Sequence, residues 1–295
     1  MKMKKFFVGV GKAILYFGAY FGAQMGLSFV VSLVISVFVS ISMINPDGSF
    51  DMVAYMEKAN AILNETLYYI MIVSGLLTIL VFWIVAKIRK KKFTKSASLN
   101  KLKTATIAPI VIGGIAFNFA ISYLLSLIPF PQSWIDSYEA SSSQVLGGAG
   151  TAMWIAVVIM APLVEELTFR GFMYTRLKSG MARWVAAIIT SLIFGIVHGT
   201  IIWAIYTFVF SIFLIFILER TKSLWGSILF HMSFNLVGAA MSTWPEIGEK
   251  LDGLVILIGS IALTIAAGVW FILVSKNKEI EEITNTEISD EQMMN

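Results

Sequence analysis

The segment from Met160 to Phe172 places two adjacent carboxylates and an arginine inside an apolar run that extends from Thr151 to Tyr174. A charged side chain at membrane depth costs about 2.5–3.5 kcal/mol on insertion scales, so such residues indicate a functional site. Arg170 follows Glu166 by four residues on one helix face, where the two charges can neutralise each other. Glu165 lies about 100° around the helix. The spacing therefore predicts a structural Glu166–Arg170 pair and leaves Glu165 free for chemistry.

The two histidines of the chain both lie in apolar segments downstream of these charges. His198 follows Phe194 by four residues, and His231 precedes Asn235 by four residues on one predicted helix face. A desolvated glutamate can act as a general base toward water. A histidine can orient that water or bind a metal that activates it, and a His–Asn pair can stabilise an oxyanion. This set of residues suits hydrolysis of a peptide bond.

Each of these residues also has a structural interpretation. A single membrane histidine more often forms a hydrogen bond between helices, an asparagine can join helices in the same way, and Phe194 alone would be a core or lipid-facing residue. Buried Glu, His and Arg also line the ion pathways of transporters. The conjunction favours hydrolysis, because both histidines and both mid-span carboxylates fall within one third of the sequence. The paired broken helices typical of transporter repeats are not evident.

Composition predicts the scaffold that positions these residues. The chain is 58% hydrophobic and 14% charged, with a mean hydropathy of +0.82, which excludes a soluble domain and favours an all-α, polytopic membrane bundle. The absence of cysteine excludes disulfides and thiolate metal sites. We expect one transmembrane domain over residues 1–275, with a catalytic core at about 150–240. Residues 276–295 form a polar, acidic tail that we expect to be cytoplasmic.

Eight apolar segments are predicted to span the membrane, at residues 13–45, 66–86, 104–130, 151–175, 184–199, 200–218, 224–241 and 253–275. The fifth and sixth meet without a real loop, so the count is seven if they form a hairpin that does not fully cross. We expect an acidic loop at 46–65, and we expect Pro109 and the Gly113–Gly114 pair to interrupt the third span. Gly18, Gly22 and Gly26 predict a surface for close helix packing.

The distribution of basic residues predicts the orientation of the bundle. With the amino terminus in the cytoplasm, all of the 22 Lys and Arg residues fall on the cytoplasmic side except Lys58, Lys250 and the intramembrane Arg170. This asymmetry favours two cytoplasmic termini, and it is typical of membrane topology rather than of nucleic-acid binding. A rise of about 1.5 Å per residue allows Glu165, His198 and His231 to share one site, somewhat toward the cytoplasm.

The three motifs together resemble those of the CAAX prenyl protease and bacteriocin-processing family (CPBP, or Abi) of intramembrane endopeptidases. The family pattern is Glu-Glu-x-x-x-Arg, then Phe-x-x-x-His, then His-x-x-x-Asn on successive helices, and residues 150–240 carry it intact and in order. The resemblance implies that Glu165 is the base and that His198 shares its water. It further implies that the oxyanion is bound by His231 and Asn235, and that the site is held together by Glu166, Arg170 and Phe194.

The resemblance also sets expectations about cofactors and partners. The family is often described as metalloproteases, and Glu165, His198 and His231 could hold zinc or another divalent metal; we favour a mechanism with no obligatory metal. The expected partners are membrane lipid and a peptide or protein substrate, either a lipidated carboxyl terminus cleaved at the cytoplasmic side or a bacteriocin-like peptide, and not nucleic acid. The Lys- and Ile-rich composition favours a bacterial cell membrane. A proteolytically inactive immunity or scaffold protein and an ion- or proton-coupled transporter remain alternatives.

Overall fold

The computed structural model describes residues 2–44, 49–148, 150–249 and 253–275. Within these ranges the regular structure is helical, and two facing residues, Ile44 and Phe50, form an isolated β-bridge. The predicted all-α class is confirmed. The predicted tail at 276–295 and Lys250 lie outside the described residues. The helices are α1 (Lys2–Ser42), α2 (Met52–Ile88), α3 (Phe93–Ser96), α4 (Ile107–Ser126), α5 (Gln132–Leu146), α6 (Thr151–Leu177), α7 (Arg183–Ile196), α8 (Ile201–Thr221), α9 (Leu224–Thr243), α10 (Pro245–Glu249) and α11 (Gly253–Val274).

Seven helices in the described ranges are long and apolar enough to cross a membrane, namely α1, α2, α4, α6, α8, α9 and α11. The chain is therefore an integral, multi-pass membrane protein. The fifth predicted segment, at 184–199, is the shorter apolar helix α7, which packs against α8 as a helical hairpin. Gly199, in the turn between them, has a φ of +88°, a conformation that favours glycine. This arrangement matches the seven-span alternative, in which α7 and α8 form a hairpin.

Two predictions about the loops and spans were wrong. The acidic loop expected at 46–65 is largely helical, because α2 begins at Met52, and Asp51 caps it by accepting hydrogen bonds of 3.0 Å from the backbone of Val53 and Ala54. The interruption expected in the third span is also absent, since α4 is continuous. Pro109 lies in its first turn, where a missing N–H group costs no intrahelical hydrogen bond.

Glycine supports close helix packing at positions other than those predicted. A Cβ atom at Gly114 would lie 2.6 Å from the carbonyl oxygen of Phe230, so this glycine lets α4 and α9 approach closely. By contrast, a Cβ atom at Gly18, Gly22 or Gly26 would meet no described atom within 4 Å. Within the described part of this chain no helix packs closely on these three glycines of α1, and the predicted packing surface stays a prediction.

The connections between helices gather at two ends of the bundle. The backbone N–H of Leu224 donates to Ser98 (2.8 Å), which joins the loop at 89–106 to the start of α9. We call this end, which also carries the connections at 178–182 and 222–223, the basic end. At the other end, the hydroxyl of Ser242 donates to the carbonyl of Leu146 (2.9 Å), which joins α9 to α5. We call it the opposite end.

Candidate active site

Helix α6 is widened by two π-helical stretches, Ile155–Met160 and Glu166–Tyr174, which flank Glu165. Pro162 contributes to the first of them, because proline has no N–H to donate. The N–H of Ala161 bonds to Ala156, five residues earlier, as expected in a π-helix. The carbonyl of Val157 therefore receives a hydrogen bond neither from Ala161 nor from Pro162. The sequence had predicted only a continuous span here.

Asn235 of α9 supplies the missing donor. Its Nδ2 atom donates to the carbonyl oxygen of Val157 at 2.9 Å, which ties α9 to the widened part of α6. An amide nitrogen carries two hydrogens, so one of them remains for another acceptor. Asn235 therefore joins two helices, as its structural interpretation predicted. The contact of Asn235 with an oxyanion stays a prediction.

A buried charge cluster lies beside this junction. The Nη1 atom of Arg170 is 2.9 Å from Oε1 of Glu166, and both side chains have no exposed surface. The pair predicted from the spacing is therefore present. His231 donates from Nδ1 to the same carboxylate oxygen, also at 2.9 Å. The guanidinium carbon of Arg170 lies 4.1 Å from the ring centroid of Phe194, which covers the pair from α7.

Glu165 faces the other side of the same histidine. Its Oε2 atom is 3.9 Å from Nε2 of His231, and this buried oxygen has no hydrogen-bond partner among the described residues. His231 thus lies between two carboxylates, with Nδ1 fixed by Glu166 and Nε2 directed toward Glu165. The sequence predicted that His231 belongs to the site but not that Glu166 orients its ring.

His198 is oriented by its own helix. Its Nδ1 atom is 2.6 Å from the carbonyl oxygen of Phe194, and because a carbonyl only accepts hydrogen bonds, Nδ1 must carry the proton. Nε2 is then the ring atom that can accept a hydrogen bond. The rings of His198 and Phe194 also pack together, with centroids 4.6 Å apart. The spacing of four residues between them therefore fixes both the tautomer and the ring position.

These side chains share one cavity of about 730 Å³. Five of the seven predicted site residues line it, namely Glu165, Phe194, His198, His231 and Asn235. Glu166 and Arg170 lie buried behind that wall. The cavity extends from the site toward the opposite end, where its lining includes residues of α5.

Several lining residues were not predicted. Tyr20 and Gln24 come from α1, and Trp203 and Tyr206 come from α8. Their types are common in membrane helices, so no local pattern distinguishes them. Asn118 of α4 did offer a signal, as an amide within an apolar span; it lines the cavity and donates to the carbonyl of Phe234 at 2.9 Å.

A metal does not fit this arrangement of side chains. Among residues 2–44, 49–148, 150–249 and 253–275, no three His, Asp or Glu side chains are grouped so that they could hold a metal ion. Glu165, His198 and His231 line one cavity without forming a ligand set.

Residues 147–237 match the family model described as type II CAAX prenyl endopeptidase Rce1-like. The predicted resemblance is confirmed. The Rce1-like segment begins just before α6 and ends within α9, so it contains every predicted site residue. The unpredicted lining residues of α1 and α4 lie outside it. No solved structure matches the chain significantly.

Similar curated proteins are bacterial. The chain is 27% identical over 130 residues to the UPF0177 protein YbdI of Lactococcus lactis, covering 43% of this chain and 70% of that protein. It is 26% identical over 147 residues to the UPF0177 protein YxdF of the same organism, covering 48% and 81%. It is 30% identical over 93 residues to the "Putative membrane peptidase YdiL" of Bacillus subtilis, covering 32% and 38%.

Proposed function

We propose that this chain is an intramembrane endopeptidase in which Glu165 activates water for hydrolysis of a peptide bond. The observation that carries the proposal is the position of Glu165, whose Oε2 atom lacks a hydrogen-bond partner among the described residues and lies 3.9 Å from His231 in a cavity of about 730 Å³. The Rce1-like match and the similarity to a named membrane peptidase support it. The partners would be a peptide substrate and membrane lipid, in a bacterial cell membrane.

In this mechanism Glu165 and His198 position one water molecule between them. The carboxylate accepts one hydrogen of the water, and Nε2 of His198, whose proton is on Nδ1, accepts the other. Glu165 takes the proton as the water oxygen bonds to the peptide carbonyl carbon. It then delivers that proton to the peptide nitrogen as the C–N bond breaks, which releases a carboxylic acid and an amine.

The oxyanion formed in the first step would be stabilised by α9. Asn235 has one Nδ2 hydrogen left after its bond to Val157. His231 offers Nε2–H in its imidazolium form, since Nδ1 is already bonded to Glu166. Donors fixed before the reaction are worth about 2.7–4 kcal/mol each in other hydrolases. Glu166 and Arg170 contribute indirectly, by holding the His231 ring in place.

The test is a survey of peptide termini in membranes of cells that express the wild type or Glu165→Gln at matched levels. The amide keeps the shape of the side chain but removes its basicity, so we expect hydrolysis to fall by about 10²–10⁴-fold. New termini should appear with the wild type and with the control Glu65→Gln, which changes an exposed glutamate of α2. If the wild type and both variants give the same peptide termini while all three proteins are folded and abundant, the protease proposal fails and an immunity or scaffold role takes its place.

A further inference from the structure

The solvent-exposed residues that line the cavity lie at one end of the bundle. Three of its lining residues are exposed, and all three are serines: Ser122 near the end of α4, Ser143 of α5 and Ser242 near the end of α9. We call this part of the cavity the serine mouth. It lies at the opposite end, where the hydroxyl of Ser242 bonds to the last residue of α5. None of the described residues of the basic-end connections lines the cavity.

Aromatic packing separates the site from the basic end. Phe172, two residues after Arg170 on α6, stacks on Tyr16 of α1 with centroids 4.4 Å apart and packs against Phe82 of α2 at 4.8 Å. Phe93, the first residue of the short helix α3 at the basic end, adds a further ring contact to Phe172 at 6.1 Å. Phe172 has no exposed surface. This packed layer separates Glu165 from the basic end, whereas the serine mouth opens the cavity at the opposite end.

The charge distribution assigns a side of the membrane to each end. The basic end carries Lys and Arg in its long loop at 89–103 and in the connections beyond α6 and α8, whereas the segment at 127–150 at the opposite end has no Lys or Arg. Basic loops remain in the cytoplasm. The serine mouth therefore faces the non-cytoplasmic side.

The walls indicate the chemistry of the segment that enters. Hydroxyls form the mouth, and apolar side chains such as Met71, Val164 and Phe234 form the deeper walls. Glu165 is the one Asp, Glu, Lys or Arg among the described lining residues. A Lys or Arg of the substrate at other positions would lack a charged partner, and a buried charge without one is costly.

On the basis of the proposed function, we propose that the site is loaded from the non-cytoplasmic face and cleaves an uncharged, apolar peptide segment that enters past α5. The substrates are then exported or membrane-anchored peptides with such a segment at the outer surface. This differs from the lipidated, cytoplasmic carboxyl terminus, which is one of the two substrate classes that the resemblance led us to expect.

The absence of native cysteine makes access to the cavity directly measurable. Ser143→Cys places a thiol at the serine mouth. Gly238→Cys places one inside the cavity, where a new Cβ atom would meet its nearest neighbours at an ordinary 3.9–4.0 Å. Lys92→Cys marks the basic end as the control. Each full-length variant is treated with a membrane-impermeant maleimide, first in intact cells and then in inverted vesicles.

We expect Ser143→Cys and Gly238→Cys to react in intact cells, and Lys92→Cys to react only in inverted vesicles. The proposal is overturned if Gly238→Cys reacts only from the vesicle side, or if Lys92→Cys reacts in intact cells. It is also overturned if Gly238→Cys reacts with a permeant maleimide but with the impermeant reagent from neither side, since the cavity is then closed.

The peptide survey distinguishes failure of this inference from failure of the proposed function. New termini that depend on Glu165 should map to non-cytoplasmic segments without charged residues next to the cleaved bond. Glu165-dependent termini in cytoplasmic tails would overturn the inference and leave the protease proposal standing. If no such termini exist, the protease proposal and the substrate assignment both fail, while the labelling result still reports which face the cavity opens to.

Discussion

Replacing Arg170 with methionine tests whether the buried charge cluster holds the site together. The guanidinium and the Glu166 carboxylate have no exposed surface, and they are 2.9 Å apart. Arg170→Met leaves the carboxylate buried with His231 as its remaining partner at 2.9 Å. Removing one member of a buried ion pair typically costs 3–5 kcal/mol. Loss of the stacking on Phe194, 4.1 Å away, adds about 0.5–2 kcal/mol.

The double variant Glu166→Gln/Arg170→Met separates charge from packing. It removes both charges, and the amide oxygen can still accept the hydrogen bond from His231. We expect the double variant to be more stable than the sum of the single variants predicts, with a coupling free energy of about 2–3 kcal/mol, near the upper end for residues in direct contact.

The measurement is the free energy of unfolding of the purified protein in mixed micelles, titrated with a denaturing detergent, for the wild type, both single variants and the double variant. Lys178→Met serves as a control, because its ion pair with Glu219 is partly exposed and exposed pairs contribute about 0–1 kcal/mol. The reasoning is refuted if Arg170→Met costs no more than Lys178→Met, or if the two single effects simply add.

Five further variants test individual positions. His198→Ala should lower kcat by about 10²–10⁴-fold, as expected for loss of a group that positions the water, with little change in thermal stability; an unchanged kcat would contradict the proposed role. Asn235→Leu should cost about 1–3 kcal/mol of unfolding free energy, because it leaves the buried Val157 carbonyl without its donor. Adding Pro162→Ala should recover part of this loss by restoring a backbone N–H, and no recovery would contradict our account of the π-helical stretch. Gly114→Ala should destabilise by about 1–3 kcal/mol, because its Cβ atom would lie 2.6 Å from a backbone oxygen. Gly22→Ala, with no described neighbour within 4 Å, should be neutral or slightly stabilising in the same detergent titration.

Contacts within one helix could be predicted from the sequence, because helical geometry fixes which residues share a face. The Glu166–Arg170 pair and the placement of His198 next to Phe194 follow from a spacing of four residues. Contacts between helices could not be predicted in this way. Spacing does not show that Nδ1 of His231 bonds to Glu166, nor that Asn235 bonds to Val157, since both depend on how α9 packs against α6.

Two features of the packing could not be foreseen for the same physical reason. The sequence offers no membrane signal for α5, a polar helix without a single buried residue, so its position over the cavity could not be foreseen. The spacing of the glycines of α1 suggested a packing face, whereas within the chain close approach occurs at Gly75 and Gly114, where atoms of other helices would lie 2.7 Å and 2.6 Å from a new Cβ atom. Packing depends on the partner as much as on the helix itself.

The order in which the helices are synthesised determines when the residues of the site can come together. Of the seven apolar spanning helices, α6 and α9 have the lowest mean hydropathy and the largest share of buried residues. Glu166 and Arg170 are supplied by the same helix, so α6 can enter the bilayer with these two charges already matched. His231 and Asn235 arrive only with α9, which is synthesised after α6. A nascent chain that has inserted α6 but not α9 therefore has Glu165 without His231 and Asn235, and under the proposed mechanism it acquires proteolytic activity only after α9 has been inserted.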